Sequence, residues 1–170
     1  MGLLETRSAL PSILPLETSE GTTRLRKGDA LQLNGFPGDI FRFVQENFQP
    51  GVSMPKSSLF TGTIQAVEHF DPRVVVDPAN VSTVDIYQHS MDTSGGTSGS
   101  PILSNGRVVA IHNSGLQEDV LIQGPNNQVT TQRIAIGTGS WGVHVKHVQN
   151  LRNFYKQGVL EFVGDWTASR

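Results

Sequence analysis

The sequence predicts an all-β fold, a six-stranded Greek-key barrel followed by one C-terminal α-helix, and three observations carry that expectation. Short apolar runs with period-two alternation recur along the chain, separated by turn residues drawn from its 18 Gly and 9 Pro. A three- and four-residue apolar period appears only near the end, in Val145, Val148, Leu151, Phe154 and Tyr155, which is the spacing of an amphipathic helix. At 170 residues the chain suffices for one domain with a real core and is too short for two ordinary ones.

Taken in order, residues 1–28 read as a connection punctuated by Pro11 and Pro15 and ending in a brief strand. The barrel occupies residues 29–144. Its first strand runs from Asp29 to Phe36 and stops at the turn Pro37-Gly38-Asp39; its second runs from Leu59 to Val67, with Gly62 at the place of a bulge. Val74 to Val76 and Thr83 to Gln88 are further candidates, then Pro101 to Leu103, Arg107 to His112, and Val129 to Ile136 extended by Trp141 to Val143. Residues 145–170 form the helix, closed by Gly158, and a tail.

Composition narrows the function classes. Charged residues make up 16% of the chain and the formal net charge is −2, so there is no basic footprint for nucleic acid or an anionic membrane, and neither partner is expected. No window approaches the apolar length of a membrane span, and Met1-Gly2-Leu3-Leu4-Glu5 lacks the parts of a signal peptide. With no cysteine there is no disulfide framework, no thiolate nucleophile and no Cys-based metal site. No cofactor is expected. His144 and His147 have no third ligand at metal spacing, so no metal is expected and both read as solvated helix residues. Asn80-Val81-Ser82 fits the glycosylation tripeptide.

The chemistry concentrates in Asp92-Thr93-Ser94-Gly95-Gly96-Thr97-Ser98-Gly99-Ser100-Pro101. Glycines at this spacing permit positive φ angles and let successive amides face one small hollow suited to an oxyanion. Ser98 would be the nucleophile, with the Gly96 and Ser98 amides holding the carbonyl oxygen it attacks. After the loop the chain turns at Ser104-Asn105-Gly106 and returns to His112.

Gly96 to Pro101 resembles the G-x-S-G-[GS]-P signature of chymotrypsin-like serine proteases, and the run from Asp92 resembles the form found in glutamyl endopeptidases. The resemblance spans nearly all of the chain but about half of the family's domain. It implies that this is the carboxy-terminal barrel, and that an upstream amino-terminal barrel, in the same gene product or a separate chain, supplies the catalytic histidine and aspartate. None of the five histidines is expected to be the base: His69 reads as a surface-turn residue, and His89 lies near the loop entrance.

The same resemblance places His112 on the floor of the S1 pocket with Thr93 as its hydroxyl partner, and Asn113-Ser114-Gly115 as the edge that pairs with a peptide or protein substrate. An imidazole and a hydroxyl both bond a carboxylate or carboxamide, so the expected P1 residue is Glu before Gln, with Lys or Arg as the alternative if Asp92, expected to be structural, lines the pocket. Thr97 stands where digestive proteases keep the aspartate that pairs with a freshly cut amino terminus, which excludes that activation. Secretion is favoured by the resemblance. Two other readings stay open: a non-catalytic peptide-binding barrel, and a quality-control protease of the heat-shock type.

Overall fold

Alternation becomes burial in the first strand, β1 (Ala30–Gly35), where Leu31, Leu33 and Gly35 are buried and Ala30, Gln32 and Asn34 face out. The remaining strands are β2 (Ser58–Glu68), β3 (Ile86–His89), β4 (Pro101–Ser104), β5 (Arg107–Gln123) and β6 (Val129–His144). The structure is a computed structural model and describes residues 12–37, 57–93, 95–123 and 128–158.

All pairs are antiparallel, in the order β1-β2-β3-β6-β5-β4, and Gln32↔Leu103 and Leu33↔Ile102 close the barrel. Leu25, Leu31, Leu33, Ile64, Val84, Tyr87, Met91, Ile102, Val109 and Ala110 fill it. A helix of eleven residues, Lys146–Lys156, follows β6. The all-β barrel with a terminal helix is therefore the observed fold.

Several local expectations change. Residues 12–28 hold no strand; Leu16 makes a single parallel bridge to Val108, and a helical turn, α1 (Ser19–Thr22), forms where the Thr18 hydroxyl accepts the Gly21 amide. Val74 to Val76 is not a strand, because Asx turns at Asp71 and Asp77 take the neighbouring amides of Arg73 and Ala79. Residues 83–85 lie outside β3, since the Asn80 side chain accepts the Ser82 amide and starts a 3₁₀ turn, Val81–Thr83.

The bulge in β2 falls between Ile64 and Ala66 rather than at Gly62. Gly62 serves close approach instead: a Cβ there would stand 2.8 Å from the Met91 amide nitrogen. The strand expected to end at His112 runs on to Gln123, and the strand from Val129 is continuous to His144, so that β5 pairs with β6 from Ala110↔His144 to Gln123↔Val129. The turn residues Gly38 and Asp39, the first eleven residues and the tail after Gly158 lie outside the described residues.

The terminal helix, α2, starts without a side-chain cap from Val145; the His144 ring supplies the acceptor, its Nδ1 receiving the Lys146 amide at 2.9 Å. His144 is 1% exposed. The expectation of a solvated helix residue is corrected: it ends the inward row of β6 and packs against Tyr87, ring centroids 5.2 Å apart. Gly158 closes the helix at φ 70°, its amide bonded to the Tyr155 carbonyl.

Candidate active site

Among the described strands, β3 and β4 are the consecutive pair that are not neighbours in the barrel, so residues 90–100 must cross one end of it. Gly96 at φ 95° and Gly99 at φ 88° take backbone angles that side chains resist. Between them Thr97 is fully buried, which roots the loop in the barrel, and Ser98 beside it is exposed. The Thr97 carbonyl accepts the Ser100 amide at 3.1 Å, completing the turn.

The loop is tied to β5 by two backbone bonds, from Gly99 to the His112 carbonyl at 2.8 Å and from His112 to the Ser100 carbonyl at 2.9 Å. The Ser98 hydroxyl donates to the Asn113 carbonyl at 3.0 Å. Ser98 thus stands at a cavity of about 160 Å³ that Thr93, Gly95, His112, Asn113, Ser114 and Gly115 also line.

Register breaks shape this cavity. The β5–β6 ladder shifts between His112 and Ser114 and again between Gly115 and Gln117, bending β5 away from regular pairing next to Ser98. Gly115 lies opposite Ser140, and the missing Cβ leaves the Ser140 Oγ 3.1 Å from where it would stand. Thr93 is 7% exposed, and its hydroxyl bonds the Ser140 hydroxyl of β6 at 3.0 Å.

One imidazole, His112, lines the pocket and a second, His89, is buried against it. His112 is 3% and His89 0% exposed, with His89 Nε2 3.3 Å from His112 Nδ1. Burial pushes the His112 ring below its ordinary value, and a bond with the Trp141 backbone works in the opposite sense. Burial, then the neighbouring His112, lowers His89 to about 4. Both rings are therefore neutral near pH 7.

The structure brings together Ser98, Thr93, His112, Asn113, Ser114 and Gly115, all singled out by sequence. Gly96 belongs to the same loop but not to the cavity lining, and Asp92 is exposed and off the lining. One residue escaped the sequence, Ser140, which the strand register brings to Thr93; His89 was placed near the loop entrance, and its alternation with Tyr87 on β3 signals an inward side chain but not its contact with His112.

The other histidines gather elsewhere. His69, expected as a surface-turn residue, is partly buried and stands 3.2 Å from Asp85, which His147 also meets at 2.9 Å and Lys146 at 2.7 Å. No group of three metal-ligating side chains occurs among the described residues. A larger cavity, about 490 Å³, lies beside α1. Its charged groups are already engaged, Glu20 with Arg24, Glu17 with Arg107 and Asp29 with the Arg26 amide.

No family model and no curated protein sequence matches the chain. It is similar in structure to Rv3671c from M. tuberculosis H37Rv, whose crystal structure is of an inactive form with serine replaced by alanine. The TM-score is 0.52 at 16% identity, over 91% of this chain and 57% of that one. The likeness is one of fold. A closed six-stranded barrel with a crossing loop and a terminal helix fits the chymotrypsin-like barrel, and this chain spans little more than half of the related chain's length.

Proposed function

We propose that this chain is the nucleophile-bearing barrel of a chymotrypsin-like serine endopeptidase that cleaves after Glu or Gln. The observation that carries the reading is the exposed Ser98 hydroxyl between two positive-φ glycines, at the mouth of a cavity lined by Thr93, His112 and the Asn113-Ser114-Gly115 segment. Ser98 attacks the scissile carbonyl and the Gly96 and Ser98 amides receive the developing oxyanion. Thr93 and His112 meet the P1 side chain, while Asn113 to Gly115 pair with the substrate backbone.

The Ser98 proton needs a base within about 3 Å. The Ser98 hydroxyl donates to the Asn113 carbonyl, and His89, His69 and His147 are each engaged elsewhere. A base and its orienting carboxylate come, in this reading, from an upstream barrel. Without them about 10³- to 10⁴-fold of catalysis over water would remain from the oxyanion site and binding.

The same hydroxyl-to-carbonyl bond favours a second reading, a peptide-binding barrel without catalysis. A fluorophosphonate probe separates the two. Labelling of Ser98 in the presence of the upstream segment, absent in Ser98→Ala, supports the enzyme; no labelling under either condition leaves the binding barrel.

A further inference from the structure

The larger cavity, about 490 Å³, lies at the end of β4 away from the serine loop, where the α1 connection, the entry to β1 and the turn after β4 meet. We propose that it binds a primary ammonium group on an aliphatic stem, supplied by a free alkylamine or by the lysine side chain of a peptide. The inference goes beyond the reading of Ser98 and does not depend on it.

Ser104 ends the inward row of β4 after Ile102 and is 7% exposed, yet its hydroxyl has no hydrogen-bond partner among the described residues. A buried hydroxyl left alone costs free energy that a bound partner recovers. Ser104 lines the cavity, and β1 and β4, paired through Gln32↔Leu103, bring Asp29 and Ala30 to the same wall. Glu17, Glu20 and Leu25 reach it from the connection.

Three carboxylates line this cavity with a single guanidinium, that of Arg24. Arg107, outside the lining, also pairs with Glu17, and the Arg26 guanidinium is turned to the Thr23 and Leu25 carbonyls. One negative charge is left over among the lining groups and their ion-pair partners. Each carboxylate also keeps one oxygen free. Glu17 is bonded through Oε1 to Arg107 and the Thr18 amide, Glu20 through Oε1 to Arg24, and Asp29 through Oδ2 to the Arg26 amide. Glu17 Oε2, Glu20 Oε2 and Asp29 Oδ1 have no partner among the described residues.

Single oxygens select among cations. A guanidinium binds best as a fork on both oxygens of one carboxylate, and none here offers two. A bare metal ion needs convergent ligands, and no group of three metal-ligating side chains occurs among the described residues. An ammonium presents three donors on a compact centre, which the Ser104 hydroxyl and the free oxygens of Asp29 and Glu17 share. The Glu17 side chain is 19% exposed and that of Glu20 82%, so Glu20 adds little beyond the mouth. Leu25, which is buried, and Ala30 receive the methylenes.

The test titrates the ¹⁵N-labelled 170-residue chain with n-butylamine and with Nα-acetyl-lysine N-methylamide, the arginine and norleucine counterparts of the latter serving as controls. Expected are millimolar binding of an amine, with amide shifts centred on Ala30, Ser104 and Asn105, and no binding of the norleucine compound. The arginine compound should bind about tenfold more weakly than lysine. Ser104→Ala should weaken binding about tenfold, and Asp29→Asn more, since asparagine keeps the bond to the Arg26 amide and loses only the charge. Tighter binding of butylamine assigns the site to free amines, and equal or tighter binding of the lysine compound to a peptide side chain. No binding of either amine up to about 50 mM overturns the proposal. So do shifts centred elsewhere, an arginine compound that binds as well as lysine, or either variant binding as the wild type does while keeping its thermal midpoint.

Discussion

The Gly99 amide donates to the His112 carbonyl at 2.8 Å, so the residue after the candidate nucleophile and the residue at the wall of the pocket are held by one backbone bond. Gly99 makes that bond at φ 88° with nothing within 4 Å of where a Cβ would stand. Gly99→Ala therefore meets no clash, only an unfavourable backbone angle of about 1–2 kcal/mol. Relief of that strain would turn the amide away from His112. Expected are a modest loss in the thermal midpoint and a large loss in Ser98 labelling by a fluorophosphonate. Retained labelling at unchanged stability would show the loop to be indifferent to this angle.

The barrel was legible because its signals are local. Alternation around Leu31 and Leu33, turns at Asn105-Gly106 and the changed period after Val145 each sit within a few residues. The serine loop was legible for the same reason, its glycines flanking Ser98 directly. What escaped depends on partners far apart in sequence. Thr93 meets Ser140 across 47 positions and His89 meets His112 across 23, and only the register of β3, β5 and β6 decides those meetings. His144 was misread because the change from strand to helix falls on it: the helical period after it suggested solvent, whereas its place in β6 buries it.

Close approach, not curvature, explains Gly62. The Cβ of Gly62→Ala would stand 2.8 Å from both the Met91 amide nitrogen and the Met91 Cγ, and Met91 is fully buried at the start of the crossing loop. Backbone must shift to admit it, costing about 1–3 kcal/mol as overpacking does. Chemical denaturation should show the loss, and Ser98 labelling should fall with it because the displaced segment leads into Thr93. Wild-type stability in this variant would contradict the packing described.

Neutral buried histidines make the fold sensitive to mild acid. Burial lowers His144 to about 3 and His89 to about 4, while the unfolded chain protonates both near 6.5. Below 6.5 the unfolded state binds more protons, so their stability contribution is complete above that pH and is lost as pH falls toward the folded values. Each ring should cost about 2 kcal/mol by pH 5. Denaturation midpoints from pH 7.5 to 5 should therefore drop steeply, and His144→Phe should remove the share of that loss its ring contributes, about 2 kcal/mol. A wild-type profile that is level through this window would mean that these rings are not neutral in the fold.

Asp85 acts in a different pH window, and the two can be told apart. Burial raises its carboxyl, but the Lys146 ammonium, the Phe70 amide and His147 more than offset that and hold it at about 2 against 3.8 for a free aspartate. Because the folded value lies below the unfolded one, its contribution is complete above 3.8 and disappears as pH falls through 2, about 2 kcal/mol in all. Asp85 is also where α2 is fastened to the barrel, with Lys146 at 2.7 Å reaching the Val81 and Ser82 carbonyls as well. Asp85→Asn leaves that mostly buried ammonium without its carboxylate, so the variant should lose at least this amount at pH 7. Between pH 6.5 and 4 its stability curve should run parallel to that of the wild type, since the histidine protons govern that range in both. The curves should converge only as pH approaches 2. Convergence already near pH 5 would show that the carboxylate is not held at the low value described.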